Sequence, residues 1–184
     1  MKKLNFGSGE FPKEGFINMD ILPHADVVHN LDQFPYPFDG QSFDHLEGDH
    51  VLEHLHDPFL VMEELYRIAK PGAEIVIRVP HFSRGFTHPD HKRGFDVTFP
   101  SYFNPEFKGG YTGTPLALKS LRMTWFAQPY LKRQELSPFS YYLGSGLGSI
   151  FSFLANLSPI ICSRFWCFWV GGFEEVEFRF IRAS

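Results

Sequence analysis

The sequence predicts an α/β fold with a parallel β-sheet, and three stretches carry that prediction. A short apolar run at residues 4–6 breaks into Gly7-Ser8-Gly9, as a strand does when it ends in a turn. An apolar stripe at helical spacing over residues 57–69 is followed at once by the β-branched run 74–79. Strand, helix and strand at these lengths form a right-handed βαβ unit, which requires a parallel sheet.

Four short strands are predicted in the first 50 residues. The connection between the first two contains Pro12 and Gly15 and is too short for a crossover helix, so a loop or a single turn makes it. Gly7 and Gly9 let the chain turn sharply and bring backbone amides near a ligand, although a plain strand-ending turn explains the pair equally well. The four strands are residues 4–6, 15–21, 27–29 and 42–48.

The first helix has signals at both ends. Asp57 is typical of an N-cap, and Pro58 suits the first helical position. Lys70-Pro71-Gly72 predicts the helix end and a chain reversal. Residues 74–79 then form the most regular strand, which Pro80 ends.

The C-terminal half is less regular. Residues 81–118 are rich in Gly, Pro, His and aromatic residues without a sustained period, and a loop this long is usually functional. Residues 121–126 favour a strand. Residues 174–182 alternate, which predicts a last strand with Val176, Phe178 and Phe180 facing inward and charges facing outward, as on a sheet edge.

Residues 143–163 carry no charge but are diluted by glycines. A membrane-spanning helix needs about 20 mostly apolar residues. The composition therefore favours a buried or pocket-lining helix over a membrane-surface helix, and a span least. The aromatic residues of this half suit either an acceptor pocket or a core and dimer interface, so a peripheral membrane contact and a homodimer both stay open.

Composition narrows the class of protein. A chain of 184 residues with 43% hydrophobic residues fits a single domain, residues 1–184, and a net charge of -4 argues against nucleic-acid binding. The two cysteines, Cys162 and Cys167, lie in an apolar segment and match no zinc framework. We expect them to be buried and reduced, and the protein to be cytoplasmic, with membrane association left open. No apolar signal-peptide run follows Lys2 and Lys3.

Chemistry-bearing residues recur where the predicted strands end. In an open parallel sheet, ligands bind beyond the carboxyl ends of the strands. An acidic group at the end of the second strand, Asp20, can accept hydrogen bonds from both hydroxyls of a ribose, although a solvated turn carboxylate is the simpler interpretation. The residues at these strand ends are Gly7, Gly9, Asp20, Asn30, Leu31, Asp32, Asp49, His50 and His81.

Five segments together resemble class I S-adenosylmethionine-dependent methyltransferases of the small type-11-like group. They are LNFGSGE (4–10), FINMDI (16–21), FPYPFDGQSFDHL (34–46), HVLEHL (50–55) and YRIAKPGAEIVIRVP (66–80). The resemblance implies a Rossmann-like methyltransferase sheet, mostly parallel with an antiparallel last strand, with helices on both faces and shortened at the N-terminus. It also divides the domain into a cofactor-binding half, 1–80, and a substrate-side half, 81–184.

The resemblance implies S-adenosylmethionine as the cofactor and assigns roles to single positions. Asp20 would bind the ribose hydroxyls, Ile21 would pack on the adenine, and His50 would lie near the sulfonium. Asn30 stands where the family often has an acid, and Asp32 could replace it. The implied cofactor-binding set is Phe6, Gly7, Ser8, Gly9, Asp20, Ile21, Asn30, Leu31, Asp32 and His50.

The loop at 80–95 supplies groups for the acceptor. It resembles the segment after the fifth strand in sugar-cluster members of the family, where Asp-x-x-His-x-Arg occurs, although here Asp90 directly precedes His91. A hydroxyl acceptor must lose its proton, and His91 is the first candidate for the base, with His50 and His81 as rivals. The predicted substrate-binding residues are Arg84, His88 and Arg93.

The leading hypothesis is methyl transfer from S-adenosylmethionine to a small-molecule, sugar or lipid-linked acceptor, at oxygen and without a metal. A degenerate methyltransferase-like binding protein is the second hypothesis. A metal-dependent enzyme is the third, in which His81, His88, His91 and Asp90 converge on zinc or iron, although their spacing matches no standard site.

Overall fold

A computed structural model gives the fold and describes residues 1–85 and 88–183. Seven strands form one sheet in the order β3-β2-β1-β4-β5-β7-β6. The first five pair in parallel, and β7 pairs antiparallel with both β5 and β6. The strands are β1 (Lys3–Phe6), β2 (Ile17–Asp20), β3 (Val27–Val28), β4 (Phe43–Asp49), β5 (Ala69–Val79), β6 (Leu116–Thr124) and β7 (Glu175–Arg182).

Four α-helices and three 3₁₀ turns accompany the sheet in the described residues. The helices are α1 (Pro58–Ile68), α2 (Pro129–Glu135), α3 (Pro138–Leu157) and α4 (Pro159–Arg164). The 3₁₀ turns are Leu52–His54, Phe99–Phe103 and Trp166–Phe168. The predicted Rossmann-like sheet, mostly parallel with an antiparallel C-terminal strand, is confirmed.

Helix α1 begins and ends close to where the sequence predicts. The Asp57 carboxylate accepts hydrogen bonds from the amides of Phe59 and Leu60, at 2.8 and 3.2 Å. The helix ends at Ile68, directly before Lys70-Pro71-Gly72, and Ala69 then pairs with Phe43 of β4 and opens strand β5. The pairing register shifts between Phe43 and His45, and Gly72 in this irregular stretch has φ +78°.

Strand β7 buries the three residues that its alternation predicts, Val176, Phe178 and Phe180. Its predicted edge position is wrong, because β6 pairs along its outer side from Leu116 to Thr124. The charges of β7 that looked like edge protection instead form ion pairs across the sheet. One of them joins Glu177 Oε2 to Arg78 Nε at 2.7 Å.

A loop replaces the first crossover helix, as the short connection predicts. Residues 7–16, all of them described, form turns and no helix. Buried Asn5 and Asn18 face each other on β1 and β2, and Asn18 Oδ1 accepts from Asn5 Nδ2 and from the Lys13 amide at 2.9 and 2.8 Å. Lys13 Nζ also reaches Glu47 and Asp49 of β4, at 2.6 and 2.8 Å. Side-chain amides and ion pairs thus hold the loop where helix packing usually would.

The sequence predicts helices on both faces of the sheet, and in the structure the helices cover the two faces to different extents. Helix α1 packs on β5, while α3 and α4 pack on β6 at the edge. Over β4, β5 and β7 the second face carries ion pairs, including Arg78 Nη1 to Asp49 Oδ1 at 2.5 Å. Residues Ile75 and Ile77, on the opposite face, are fully buried. One face is therefore apolar and the other largely ionic.

Helix α3 is largely exposed rather than buried, although one side of it lines a cavity of about 820 Å³ beside β6, as a pocket-lining helix would. Only Gly148, Ser152 and Ala155 of it are buried, and they are small residues on the side facing β6. Its large apolar side chains are exposed. No helix in residues 1–85 and 88–183 is long and apolar enough to cross a membrane. Cys162 and Cys167 are fully buried free thiols, and burial raises the pKa of Cys162 to about 12.

Candidate cofactor and acceptor site

The glycine turn closes the end of β1 over β2. Gly7 has φ +66°, and a β-carbon there would lie 2.3 Å from Val51 Cγ2. The amides of Gly7 and Ser8 both donate to the Met19 carbonyl, at 2.8 and 3.3 Å, and the Gly9 amide donates to Asp20 Oδ2 at 2.8 Å. These amides therefore shape the turn, which differs from the expectation that they face a ligand.

Asp20 lies at the end of β2 with its carboxylate held in place. Oδ2 accepts from Gly9, and Oδ1 accepts from the Leu22 amide at 3.1 Å. Each oxygen keeps a further lone pair for an incoming donor. Ile21, the next residue, is 65% exposed, so an apolar surface sits beside a fixed carboxylate.

The remaining predicted cofactor residues are mostly engaged within the protein. Phe6 is fully buried, so only its backbone borders the turn. Leu31 is buried, and its carbonyl accepts from the Tyr36 hydroxyl at 3.0 Å. Asn30 Oδ1 accepts from the Asp32 amide at 3.0 Å, while the Asp32 carboxylate pairs with His56 Nδ1 at 2.7 Å. Asp32 is thus committed to His56.

His50 sits between two carboxylates at the end of β4. Its Nε2 lies 3.0 Å from Glu175 Oε2, and its Nδ1 lies 3.4 Å from Glu53 Oε1. Burial alone would lower the pKa of His50, but these two carboxylates outweigh it and raise the pKa to about 9. His50 is therefore an imidazolium at neutral pH, which contradicts its candidacy as a general base.

A cavity of about 420 Å³ opens beyond the ends of β4 and β5. Five histidine and cationic side chains that line it come from the 3₁₀ turn Leu52–His54, from the 80–95 loop and from α2. Arg84 and Lys132 both pair with Glu174, at 3.0 and 2.6 Å, so the cations on this wall are partly neutralised. The lining residues are His50, His54, Pro80, Arg84, His88, His91, Ala127, Gln128, Leu131, Lys132 and Glu174.

His91 faces the buried carboxylate of Glu53. Its Nδ1 lies 2.6 Å from the Gly85 carbonyl oxygen, so Nδ1 carries the hydrogen and donates it. Its Nε2 then has the lone pair and lies 3.8 Å from Glu53 Oε1. His54 packs edge-on against His91, with the ring centroids 4.8 Å apart. Three histidines, His50, His54 and His91, therefore lie close to the carboxylate of Glu53.

Two predicted residues lie elsewhere. His81 is fully buried and hydrogen-bonded to Ser83 Oγ and Ser163 Oγ, at 2.7 and 3.0 Å, so it cannot reach an acceptor as a base. Arg93 donates to the His56 carbonyl at 2.8 Å and does not line the cavity. The predicted metal set of His81, His88, His91 and Asp90 is therefore not assembled. Phe86 and Thr87 of the same loop lie outside the described residues.

His81 gives a testable pH dependence. Burial lowers its pKa to about 4, against 6.5 in an unfolded chain. Below pH 6.5 the unfolded state takes up the proton first, so stability is full above that pH and falls as the pH drops toward 4. At about 1.4 kcal/mol per pKa unit, the loss reaches about 3 kcal/mol.

We therefore expect His81→Asn to flatten the fall in unfolding free energy between pH 6.5 and 4, as measured by urea titration at several pH values. The difference between the two proteins isolates this residue from other titrating groups. Equal slopes for the two proteins would contradict the assignment.

Several residues at or beneath the cavity were not singled out in the sequence analysis. His54 lines the cavity, and Glu53 is fully buried next to His91. The signal was present in the spacing His50-x-x-Glu53-His54, which one 3₁₀ turn converts into a cluster. Lys132 and Glu174 carried no signal, because only tertiary contact joins α2 to the segment before β7.

A larger apolar cavity, of about 680 Å³, lies away from this chemistry. It is bounded by the 3₁₀ turn Phe99–Phe103, β6 and the start of α4. Its lining includes Leu116, Leu121 and Ile160 but none of the predicted site residues. Its position beside the exposed apolar helices, rather than at the strand ends, separates it from the cofactor end of the sheet.

Comparison with known proteins agrees with this geometry. Residues 14–77 match the type-11 methyltransferase domain family. No curated protein sequence matches the chain. A methyltransferase dependent on S-adenosylmethionine from Archaeoglobus fulgidus has a similar structure, with a TM-score of 0.56 and 15% identity over 98% of this chain and 85% of its own.

Two further structures share the fold at a TM-score of 0.55. A putative methyltransferase from Bacillus halodurans C-125 is 13% identical over 100% of this chain and 93% of its own. Phospholethanolamine N-methyltransferase 2 from Haemonchus contortus, solved with phosphomonomethylethanolamine and S-adenosylhomocysteine, is 12% identical over 100% of this chain and 49% of its own. The match over residues 14–77 and the shared fold together indicate a methyltransferase whose cofactor is S-adenosylmethionine.

Proposed function

We propose that this methyltransferase acts on an oxygen of a sugar, lipid-linked or other small-molecule acceptor. The observation that carries the proposal is the cavity of about 420 Å³ at the ends of β4 and β5, with His91 and His54 on its wall. In this proposal residues 1–80 bind the cofactor, and residues 81–184 of the same domain bind the acceptor.

The residues at the end of β2 suit S-adenosylmethionine. The Asp20 carboxylate has lone pairs for the ribose hydroxyls, and exposed Ile21 offers an apolar surface for the adenine. His50, with a raised pKa, and its partner Glu175 stand next along the sheet. The bound cofactor supplies an activated methyl group, and the protein must align an acceptor with it.

The histidines favour oxygen as the acceptor atom. A hydroxyl must lose its proton during transfer, so the site needs a group that receives or withdraws it. His81 is buried away from the cavity, and both ring nitrogens of His50 face carboxylates. His91, oriented by Gly85 and directed at Glu53, is left to activate the acceptor.

Charge on the cavity wall favours an acceptor with an anionic group. Arg84, Lys132 and His88 line one cavity with a single carboxylate, Glu174, between the two cations. A phosphate accepts several charge-assisted hydrogen bonds from such groups. The Haemonchus enzyme was solved with a phosphate-bearing molecule, phosphomonomethylethanolamine. We therefore propose a phosphorylated sugar or lipid carrier as the acceptor class.

Titration calorimetry with S-adenosylhomocysteine tests the cofactor site. We expect Asp20→Ala to weaken binding at least about tenfold, because a charge-assisted hydrogen bond contributes about 1.5–3 kcal/mol. Asp20→Asn keeps one acceptor oxygen, so its affinity for S-adenosylhomocysteine should lie between those of the wild type and Asp20→Ala. Glu10→Ala is the matched control, since Glu10 is a nearby carboxylate whose side chain is 76% exposed. Equal affinity of Asp20→Ala and the wild type would reject this site.

The exposed apolar surface of α3 and residues 160–169 is proposed to rest on a membrane. The exposed side chains of α3 include Phe139, Leu143, Leu147, Ile150, Phe153 and Leu157, and Trp169 beyond α4 is 83% exposed. Arg133 and Arg164 flank this surface and suit anionic lipid headgroups. The enzyme would then meet a lipid-linked acceptor at the membrane surface.

Vesicle flotation tests this contact. We expect the protein to bind vesicles of phosphatidylcholine with phosphatidylserine, and Phe153→Asp to abolish binding without changing S-adenosylhomocysteine affinity. Light scattering after gel filtration supplies the alternative outcome. A dimer that Phe153→Asp dissociates, together with no vesicle binding, would assign the surface to a homodimer and overturn the membrane proposal.

A further inference from the structure

The carboxylate of Glu53 is an electrostatic anomaly at the cavity floor. Its side chain is fully buried, and neither oxygen has a hydrogen-bond partner among the residues that the structure describes. The nearest cationic nitrogen, His50 Nδ1, is 3.4 Å from Oε1 and is shared with the Glu175 pair on the other side of the ring. A buried carboxylate without donors is costly unless a cation compensates it.

Two imidazoles beside this carboxylate each have one ring nitrogen occupied by a backbone carbonyl. His91 donates its Nδ1 hydrogen to the Gly85 carbonyl at 2.6 Å, and its Nε2 lies 3.8 Å from Glu53 Oε1. His54 Nδ1 lies 3.3 Å from the Asp90 carbonyl, so its Nε2 is the nitrogen available to a ligand. A histidine that donates one ring nitrogen to a backbone carbonyl and offers the other is the arrangement that orients metal ligands.

We infer that Glu53, His54 and His91 form a site for a divalent transition-metal ion of the Zn²⁺ class. One ligand atom from each of the three residues lies within 4.8 Å of the other two. Ligand atoms about 2.1 Å from a tetrahedral ion are about 3.4 Å apart. Side-chain rotations that move the three ligand atoms by roughly 1 Å would therefore bring them to this spacing. Two imidazoles and one carboxylate suit Zn²⁺ better than Mg²⁺ or Ca²⁺, which prefer oxygen ligands.

Three protein ligands leave a fourth coordination position, as in catalytic zinc sites. Two of the ligands, His54 and His91, line the cavity proposed for the acceptor, so the open position faces it. An acceptor hydroxyl bound there would have its pKa lowered by the ion, which assigns to the metal the activation proposed for His91. This inference rests on the proposed function only for the role of the ion, and metal binding itself is independent of it.

A metal ion at this site would compete with neighbouring groups for the Glu53 carboxylate. His50 Nδ1 lies 3.4 Å and His91 Nε2 lies 3.8 Å from Glu53 Oε1, whereas Lys92 donates its backbone amide to the Glu53 main-chain carbonyl at 2.9 Å. His88 stacks on His91 with centroids 4.9 Å apart and accepts at Nδ1 from the Asp90 amide. His88 thus lines the cavity next to His91 and is not one of the three inferred ligands.

Cobalt titration of the purified full chain tests the site. We expect one equivalent of Co²⁺ to produce the visible absorption of tetrahedral cobalt, and Zn²⁺ to displace it. Glu53→Gln, His54→Ala and His91→Ala should each weaken binding at least about tenfold, as loss of metal-site residues does. The matched control is His24→Ala, which removes an exposed histidine from another part of the chain.

Each outcome decides the inference. No cobalt spectrum, or a spectrum that survives all three substitutions, overturns it and leaves His50 as the sole counter-ion of Glu53. S-adenosylhomocysteine affinity is measured on the same samples. A wild-type protein that binds S-adenosylhomocysteine but shows no cobalt spectrum rejects only the metal site, whereas a wild-type protein that does not bind S-adenosylhomocysteine rejects the proposed function. Circular dichroism of Glu53→Gln checks that the variant is folded.

Discussion

Gly7→Ala is expected to lower the unfolding free energy by about 3 kcal/mol, because two independent costs meet at this position. The backbone has φ +66°, where an L-residue is strained, and the new methyl group would lie 2.3 Å from Val51 Cγ2. Val51 is next to His50, so relief of the clash would move the chain at the cavity floor. Urea unfolding measures the loss, and calorimetry should show weakened cofactor binding in the folded fraction.

Gly9→Ala is the matched control for this prediction. Gly9 also has a positive φ, +49°, but a β-carbon there would meet nothing within 4 Å. Only the conformational cost remains, about 1 kcal/mol. The difference between the two variants therefore measures the contact with Val51. Equal losses would show that Val51 moves aside freely and that the turn is not held by packing.

The sequence could predict the parts of this fold that local chemistry determines. Asp57 and Pro58 begin α1 because a capping carboxylate and a fixed φ act within one turn. The alternation of Val176, Phe178 and Phe180 gives the buried side of β7 for the same local reason. The short spacing between the first two strands also predicted a connection without a crossover helix, which residues 7–16 confirm.

What the sequence could not show depends on partners distant in the chain. The inner position of β7 depends on pairing with β6, more than 50 residues earlier in the chain. In the sequence, a charged residue that will form an ion pair cannot be told from one that will face water. His81 resembled a site residue because it follows a parallel strand, but Ser163 draws its ring into the core. The turn amides were expected to face a ligand, and instead the Met19 carbonyl accepts two of them.

His91→Ala is expected to lower kcat by about 10²–10⁴-fold, the usual contribution of a positioned proton-transfer group. The Nε2 of His91 faces the cavity floor next to Glu53, while Asp20 and Ile21, which are proposed to bind the ribose and the adenine, lie at the end of β2. Affinity for S-adenosylhomocysteine should therefore stay within about twofold, because uniform binding is untouched when only transition-state stabilisation is lost. Turnover is measured as release of S-adenosylhomocysteine with sugar phosphates and lipid-linked sugars as acceptors.

His56→Ala provides the comparison, since His56 is an exposed imidazole beside the cavity that binds Asp32 and not Glu53. Its kcat should stay near the wild-type value. A chelator then separates the two ways in which His91 can act. If the chelator lowers wild-type kcat toward that of His91→Ala, the imidazole works as a ligand of the inferred ion. If it has no effect while His91→Ala is impaired, His91 takes the proton itself, because an imidazole oriented by Gly85 needs no ion to accept it. Full activity of His91→Ala would place acceptor activation outside the Glu53 cluster.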